Sequence, residues 1–405
     1  MEDKVVIIGT GIAAISAIKA IRAVDKEIKV ELYGDELFYP YNRLRLSKGL
    51  LGSLEEDKLL IQKKEWYGEN NITLNKGIKV VSINTDSKEL QLSDGGKADY
   101  TKLLLANGAS NFVPDINGIN KSGVFTLRTL QDARNIAEES SKCKTVLHIG
   151  GGILGLELAW VLAQAGKKII VSELAERLMP RQLDERASEL LENAVKNSGI
   201  DIMLGSQISE ISVRESGVEG FITNKGEFIS CDMVTYSIGV RPNVALLKET
   251  DIKVNKGVIV NEKMETNIPD IYAAGDIAEF DGRVHGLWNI AISQGTTAGN
   301  NIVGRDSTYK HVSPITTMNA FGLSLFSMGT IEEDKATDIL VEDNDTKNYK
   351  KVFIKNNRVI GAVVIGDTKI STTLKRAIEN ELDLGSINFK NVYIDQLIER
   401  IKGIK

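Results

Sequence analysis

The chain has 405 residues, 42% hydrophobic and 26% charged, which allows two or three domains with sizeable cores and excludes a disordered or fibrous protein. A formal charge of −5 argues against nucleic acid as a main partner, and no window approaches the roughly 18 uninterrupted apolar residues of a membrane span. Cys143 and Cys231 are the only cysteines, which rules out a disulfide framework, a C-x-x-C redox pair and any four-cysteine cluster within the chain. The three histidines stand in unrelated contexts, so no metal site is expected. The N-terminus passes straight into a strand with no targeting pattern, so the expected location is cytoplasmic.

Val5–Ile8 reads as a strand, Gly9-Thr-Gly11-Ile-Ala-Ala14 as a glycine turn, and Ile15 to Val24 as the helix that follows. In a G-x-G-x-x-G turn the first glycine permits the tight bend, the second lets a pyrophosphate approach bare backbone, and the third allows close helix–strand packing. Alanine is an accepted third residue. In the next strand, Ile28 to Tyr33, Glu31 lies mid-strand, whereas Asp35 lies just past the carboxyl end, where a ribose would sit. Asp35 is therefore the preferred acid. An irregular polar and aromatic stretch, Tyr39 to Lys48, follows. Residues 72–105 alternate apolar and polar with turn signals at Asn84-Thr-Asp86 and Asp94-Gly-Gly96, predicting a meander of short strands that runs into the buried strand Leu103–Ala109. Residues 113–143 form a crossover with a helix from Leu130 to Ser141.

The same pattern then returns. A strand from Lys144 breaks on Gly150, Gly151 and Gly152 and re-forms as a helix carrying Gly155, while the following run, Lys168 to Glu173, ends on an acid. The helix start offers unpaired N–H groups and a positive dipole end to phosphates, and the Glu173 carboxylate can accept both hydroxyls of an adenosine ribose. A glycine fingerprint set between strand and helix, with an acid closing the next strand, is a strong nucleotide signal. Two such turns imply two nucleotides. A second meander around Ile208–Ile229 leads to Val234–Pro242. Ile271-Tyr-Ala-Ala-Gly-Asp276 is a strand ending on an acid, and a glycine-bearing helix spans about Asn289 to Val303. From Tyr309 onward the pattern becomes alternating strands and two helix-like segments.

The motifs Gly9-x-Gly11, Pro40-Tyr-Asn-Arg43 with Leu46-Ser-Lys48, Leu105-Ala-Asn-Gly108, Gly150-x-Gly152-x-x-Gly155 with Glu157, Ile238-Gly-Val-Arg-Pro242 and Ala274-Gly-Asp276 occur in this order. Together they resemble the FAD/NAD-dependent pyridine-nucleotide oxidoreductases that lack a redox disulfide. That group includes NADH:rubredoxin oxidoreductase and the flavin-binding front end of assimilatory nitrite reductase. The resemblance covers essentially the whole chain. It implies an α/β fold: two Rossmann-like, three-layer, glutathione-reductase-like domains plus a small C-terminal α+β domain. The implied boundaries are 1–112 and 240–308 for FAD, 113–239 for NADH and 309–405 for the C-terminal domain.

By that resemblance Gly9, Gly11 and Ala14 hold the FAD pyrophosphate, Asp35 its adenosine ribose and Asp276 a ribityl hydroxyl. Arg128 supplies a cationic contact, and Gly239 adds to the cofactor-binding set. Gly150, Gly152, Gly155 and Glu173 hold NADH. The Glu173 carboxylate repels a 2′-phosphate and so favours NADH over NADPH, although Arg177 and Arg181 stand nearby. Asn107 occupies a place where threonine is commoner in such reductases. Trp288 and Tyr39 could flank the flavin or simply pack in the core, and His148 reads as a packed core residue.

Lys48 and Glu157 are the expected catalytic pair, Lys48 stabilising negative charge on reduced flavin and Glu157 orienting the nicotinamide carboxamide. The alternative is a solvated lysine and a glutamate favoured by the helix dipole. Arg43, Arg45 and Lys48 read either as ordinary surface charge or as a docking patch for a small acidic protein. The implied reaction is hydride transfer from NADH to FAD and one-electron exit to a small iron–sulfur or flavin electron-transfer protein, rubredoxin being favoured. No nucleic acid or membrane is involved, and the protein would be a monomer or homodimer. Two alternatives are an NADH-input subunit of a larger assembly and a non-enzymatic, NADH-responsive flavoprotein.

Overall fold

The computed structural model describes residues 3–215, 217–310, 312–344, 348–385 and 387–404. Its internal contacts gather the chain into two units: residues 1–46, 53–112 and 239–311, and residues 47–52, 113–238 and 312–405.

In the first unit the apolar run Lys4–Ile8 is the middle strand of a five-stranded parallel sheet. The strand order is Ile271–Ala273, Lys102–Leu105, Lys4–Ile8, Lys29–Gly34, Ile72–Lys76. A strand covered on both faces needs a continuous apolar sequence, and Val5, Val6 and Ile7 are fully buried. The edge strand Ile72–Lys76 departs from the sequence expectation. It alternates like a meander strand but pairs parallel to Lys29–Gly34, which leaves Val80–Asn84, Glu89–Leu92 and Lys97–Asp99 as the three-stranded antiparallel meander. Helix Ile12–Val24 starts directly after Gly11, three residues earlier than the sequence suggests. Against it packs helix Trp288–Ile302. A Cβ on Gly295 would sit 2.2 Å from the Ala13 carbonyl oxygen, and one on Gly299 would sit 2.3 Å from that of Ala17. The two helices therefore meet backbone to backbone, through small residues four apart on each.

The second unit repeats the parallel sheet, in the order Asp201–Met203, Lys168–Ser172, Thr145–Ile149, Met233–Tyr236, Val124–Thr126. Its crossover helix, Leu130–Lys142, is started by a capping box of Thr129 and Asp132. The C-terminal portion is a five-stranded antiparallel sheet, in the order Ile315–Ala320, Leu323–Gly329, Arg358–Ile365, Tyr349–Lys355, Asp338–Asp343. Its two faces do different things. Leu325, Phe353 and Val363 join Leu156, Leu190 and Val146 of the parallel-sheet portion in one core. Val352, Ala362 and Val364 pack on helices Ser371–Glu379 and Ile394–Gly403. Among the described residues no helix is long and apolar enough to cross a membrane.

Candidate functional site: two glycine turns and a lysine–glutamate cavity

The two turns have the same backbone and different surroundings. Gly9 adopts φ +106° and Gly150 φ +115°, a region that only glycine enters without strain. A Cβ at Gly9 would stand 2.2 Å from the Ala106 carbonyl oxygen, and one at Gly150 would stand 2.5 Å from that of Ser237. Each first glycine thus lets its turn lie against the end of the neighbouring strand. At the second glycines, Gly11 and Gly152, a Cβ would meet nothing within 4 Å. Both are extended N-cap residues without a side-chain cap, so the helix N–H groups behind them face open space that a side chain would intrude on. That is the cradle an anionic pyrophosphate fits.

The third positions diverge. A Cβ at Gly155 would fall 2.3 Å from His148 Nε2. The His148 ring is fully buried, with Nδ1 2.8 Å from Thr235 Oγ1 and Nε2 3.2 Å from Ser237 Oγ. Burial depresses its pKa to about 4, so it is a neutral packing residue rather than an acid or base. Ala14, by contrast, is fully buried with its methyl in place.

Around the first turn, Glu31 is committed to Lys4 and to the Tyr33 hydroxyl, whereas Asp35 is exposed immediately after its strand. Its neighbour Glu36, which sequence reasoning passed over, accepts from Tyr41 Oη at 2.6 Å and pairs with Arg43 at 2.5 Å. This changes the reading of the basic run. Arg43 is held inward by Glu36, Arg45 donates to the Lys58 carbonyl, and Lys48 lines a cavity. Arg43 is therefore not an ordinary solvated charge, while Arg45 and Lys48 are exposed. Gly275, just before Asp276, has its N–H held by the buried Gln294 side chain at 2.9 Å, a support with no local signature. Asn107 Nδ2 donates to the Asn243 carbonyl and Asn243 Nδ2 to that of Asn107. Asn107 Oδ1 is left buried without a partner. Gly239, at φ +109°, accepts from the Phe112 N–H.

Around the second turn, Glu173 follows its strand directly and its carboxylate takes the Gly151 N–H at 2.5 Å and the Ala175 N–H at 2.8 Å. Arg177 is not free to meet a phosphate: its guanidinium donates to the carbonyls of Leu183 and Pro180. Arg128 belongs to this unit as well, its N–H donating to Asp132 at the head of helix Leu130–Lys142.

Lys48 and Glu157 also share this unit and line one cavity of about 240 Å³ with Leu51, Trp160, Gln164 and Asn319. Burial pushes the Glu157 carboxyl above the usual range, and the charge of Lys48 pulls it partly back. Neither cysteine lies within a turn, Cys143 standing before the strand Thr145–Ile149 and Cys231 before Met233–Tyr236, and both are buried. Burial raises both thiols, Cys231 to about 12. Among the described residues no group of His, Cys, Asp and Glu could hold a metal ion.

The family described as pyridine nucleotide-disulphide oxidoreductase matches residues 3–295, and the rubredoxin NAD+ reductase C-terminal domain matches residues 314–382. The chain is 33% identical to an NADH-rubredoxin oxidoreductase of Clostridium acetobutylicum, over 98% of this chain and 100% of that protein. It is 35% identical to a nitrite reductase [NAD(P)H] of Bacillus subtilis, over 95% of this chain and 48% of that protein. It therefore spans about half the length of the latter. The crystal structure of NADH:rubredoxin oxidoreductase from Clostridium acetobutylicum superposes with a TM-score of 0.82 at 32% identity, covering 98% of this chain and 99% of that one.

Proposed function

The chain belongs to the pyridine nucleotide-disulphide oxidoreductase family, and from that premise we propose that it is an FAD-dependent reductase that oxidises NADH and passes electrons singly to a small iron–sulfur protein, rubredoxin being favoured. The observation that carries this reading is the pair of glycine turns, each with open space before a helix N-terminus, in a chain whose two thiols are buried and poorly acidic. Two dinucleotides fit and no thiol relay does. Bound FAD supplies the conversion between two-electron and one-electron chemistry. The protein contributes alignment and charge.

In this reading residues 1–112 and 240–308 hold FAD, 113–239 hold NADH, and 309–405 form the third domain. Gly9, Gly11 and the N–H groups at the head of helix Ile12–Val24 receive the FAD pyrophosphate. Asp35 takes its adenosine ribose, Asp276 a ribityl hydroxyl, and Arg128 adds a cationic contact. The orphaned Asn107 Oδ1 is suited to accept a hydrogen bond from a hydroxyl donor, which fits the same group. Gly150, Gly152 and Glu173 hold NADH, and Gly155 brings its helix close enough to do so. Arg177 is tied to backbone carbonyls, which leaves the exposed Arg181 as the nearby cation opposing the Glu173 carboxylate. The carboxylate at the ribose position favours NADH. In the shared cavity Lys48 stabilises developing negative charge and Glu157 orients the nicotinamide carboxamide. The location consistent with these partners is the cytoplasm.

A second reading, that the chain is the NADH-input part of a larger reductase, is favoured by its match to about half of the nitrite reductase. Steady-state assay of the FAD-loaded chain separates the two. Fast NADH-dependent reduction of rubredoxin is expected. Rapid flavin reduction followed by slow reoxidation with rubredoxin, ferredoxin and flavodoxin alike would overturn the first reading.

A further inference from the structure

Residues 173–184 contain neither helix nor strand, yet Leu178, Met179 and Leu183 are almost completely buried. On one side this segment meets the second glycine turn. The Met179 N–H donates to the Gly151 carbonyl at 3.3 Å, and a Cβ on Gly151 would lie 2.8 Å from Leu178 Cδ2. Arg177 braces the segment internally through Leu183 and Pro180. On the other side it meets the C-terminal sheet. Ser327 Oγ donates to the Gln182 carbonyl at 2.5 Å.

Asp184 is the centre of that second contact. One carboxylate oxygen caps helix Glu185–Asn197 through the Ala187 N–H at 3.0 Å. The other accepts from Tyr349 Oη at 2.5 Å and from Lys351 Nζ at 3.0 Å. Lys351 is only 7% exposed and is balanced further by Glu333 at 2.5 Å. Apolar packing in the shared core would bring the sheet and this portion together without fixing how the segment lies. Directed bonds to one largely shielded carboxylate, 12% exposed, do fix it, because each is costly to leave unmade.

We propose that the C-terminal sheet is a positioning element of the nucleotide site: Tyr349 and Lys351, acting through Asp184, hold residues 177–184 against Gly151 and so set the turn and Glu173 for dinucleotide binding. This rests on the reading of the second turn as the NADH site. Neither Tyr349 nor Lys351 touches the nucleotide; they are positioning residues. The result is a role for the C-terminal domain within this unit.

The test uses the full FAD-loaded chain carrying Lys351→Met or Tyr349→Phe. NADH-dependent flavin reduction by rapid mixing gives Kd and the limiting rate, and calorimetry gives NAD+ affinity independently of turnover. We expect both affinities to weaken on the order of fivefold with little change in limiting rate, and Lys351→Arg to recover most of the loss. Arg358→Gln, which breaks only an exposed ion pair with Glu381 in the same domain, should leave affinity unchanged. Unchanged affinity in the two variants, or an equal loss in Arg358→Gln, would overturn the link. If Lys351→Met fails to fold, Tyr349→Phe decides alone. A wild-type chain with no saturable response to NADH would remove the underlying reading, and the link with it.

Discussion

Counting back two residues from the first glycine of each turn reaches Ile7 in one fold and His148 in the other, and much of the difference between the two sites follows from that pair. Where the strand carries a plain aliphatic side chain, the third turn position carries a methyl, Ala14. Where the strand carries an imidazole tied to Thr235 and Ser237, the helix can lie as close only if its third position is bare, and Gly155 is bare. The first fold spends its own glycines elsewhere, at Gly295 and Gly299, which bring a second helix onto Ala13 and Ala17. The lesson is that one fingerprint contains two kinds of glycine. Some are required by the fold around them, and others stand beside open space that a side chain would intrude on.

The sharpest break of that comparison is Gly9→Ala or Gly150→Ala. Each combines a left-handed backbone with a carbonyl collision, and a loss of about 3 kcal/mol or more is expected, read as a fall in Tm or failure to accumulate folded protein. Gly295→Ala comes next, with about 2–3 kcal/mol expected from overpacking against Ala13. FAD retention should suffer in that variant before NADH binding does.

Gly11→Ala and Gly152→Ala should behave in the opposite way. Tm should stay within roughly 2 °C because nothing lies in the way of the methyl. Affinity should fall about tenfold, equivalent to ~1.4 kcal/mol, for FAD in the first case and for NADH in the second. A large Tm drop in either would show that the open space is not a ligand cradle. The effect of Lys48→Met is smaller and is read as a shift along the pH axis. Removing the cation that lowers Glu157 should move the acid limb of NADH-dependent flavin reduction to higher pH. An unmoved limb with an unchanged rate would sink the catalytic pairing.

The last effect concerns His148 and appears only at acid pH. Its pKa is depressed in the folded state to about 4, from about 6.5 when unfolded. Its contribution to stability is therefore present above about pH 6.5 and is lost as pH falls toward 4. Chemical denaturation across that window should show a decline that His148→Asn reduces.

Legibility in the sequence followed distance along the chain. The strand–glycine–helix units, the acids closing Lys29–Gly34 and Lys168–Ser172, and the meanders are written in neighbouring residues, and they were readable there. Ile72–Lys76 was misplaced because its own alternation is indifferent to which strand it joins; pairing with Lys29–Gly34 is a long-range choice. Arg43 looked like surface charge because the Glu36 that holds it inward lies seven residues away across an irregular segment. Gln294, which steadies the turn before Asp276, had no local signature at all.

What the sequence determined by itself was the presence of two dinucleotide turns, their order, and the lack of a usable thiol, because backbone freedom and thiol chemistry belong to residue types. What only the tertiary structure decided was which glycines answer to packing and which to open space, and which charges face inward. It also decided that the C-terminal sheet reaches Asp184. Those outcomes depend on what stands opposite each residue, and contacts between distant segments are set by the packing of the whole unit rather than by any stretch of it.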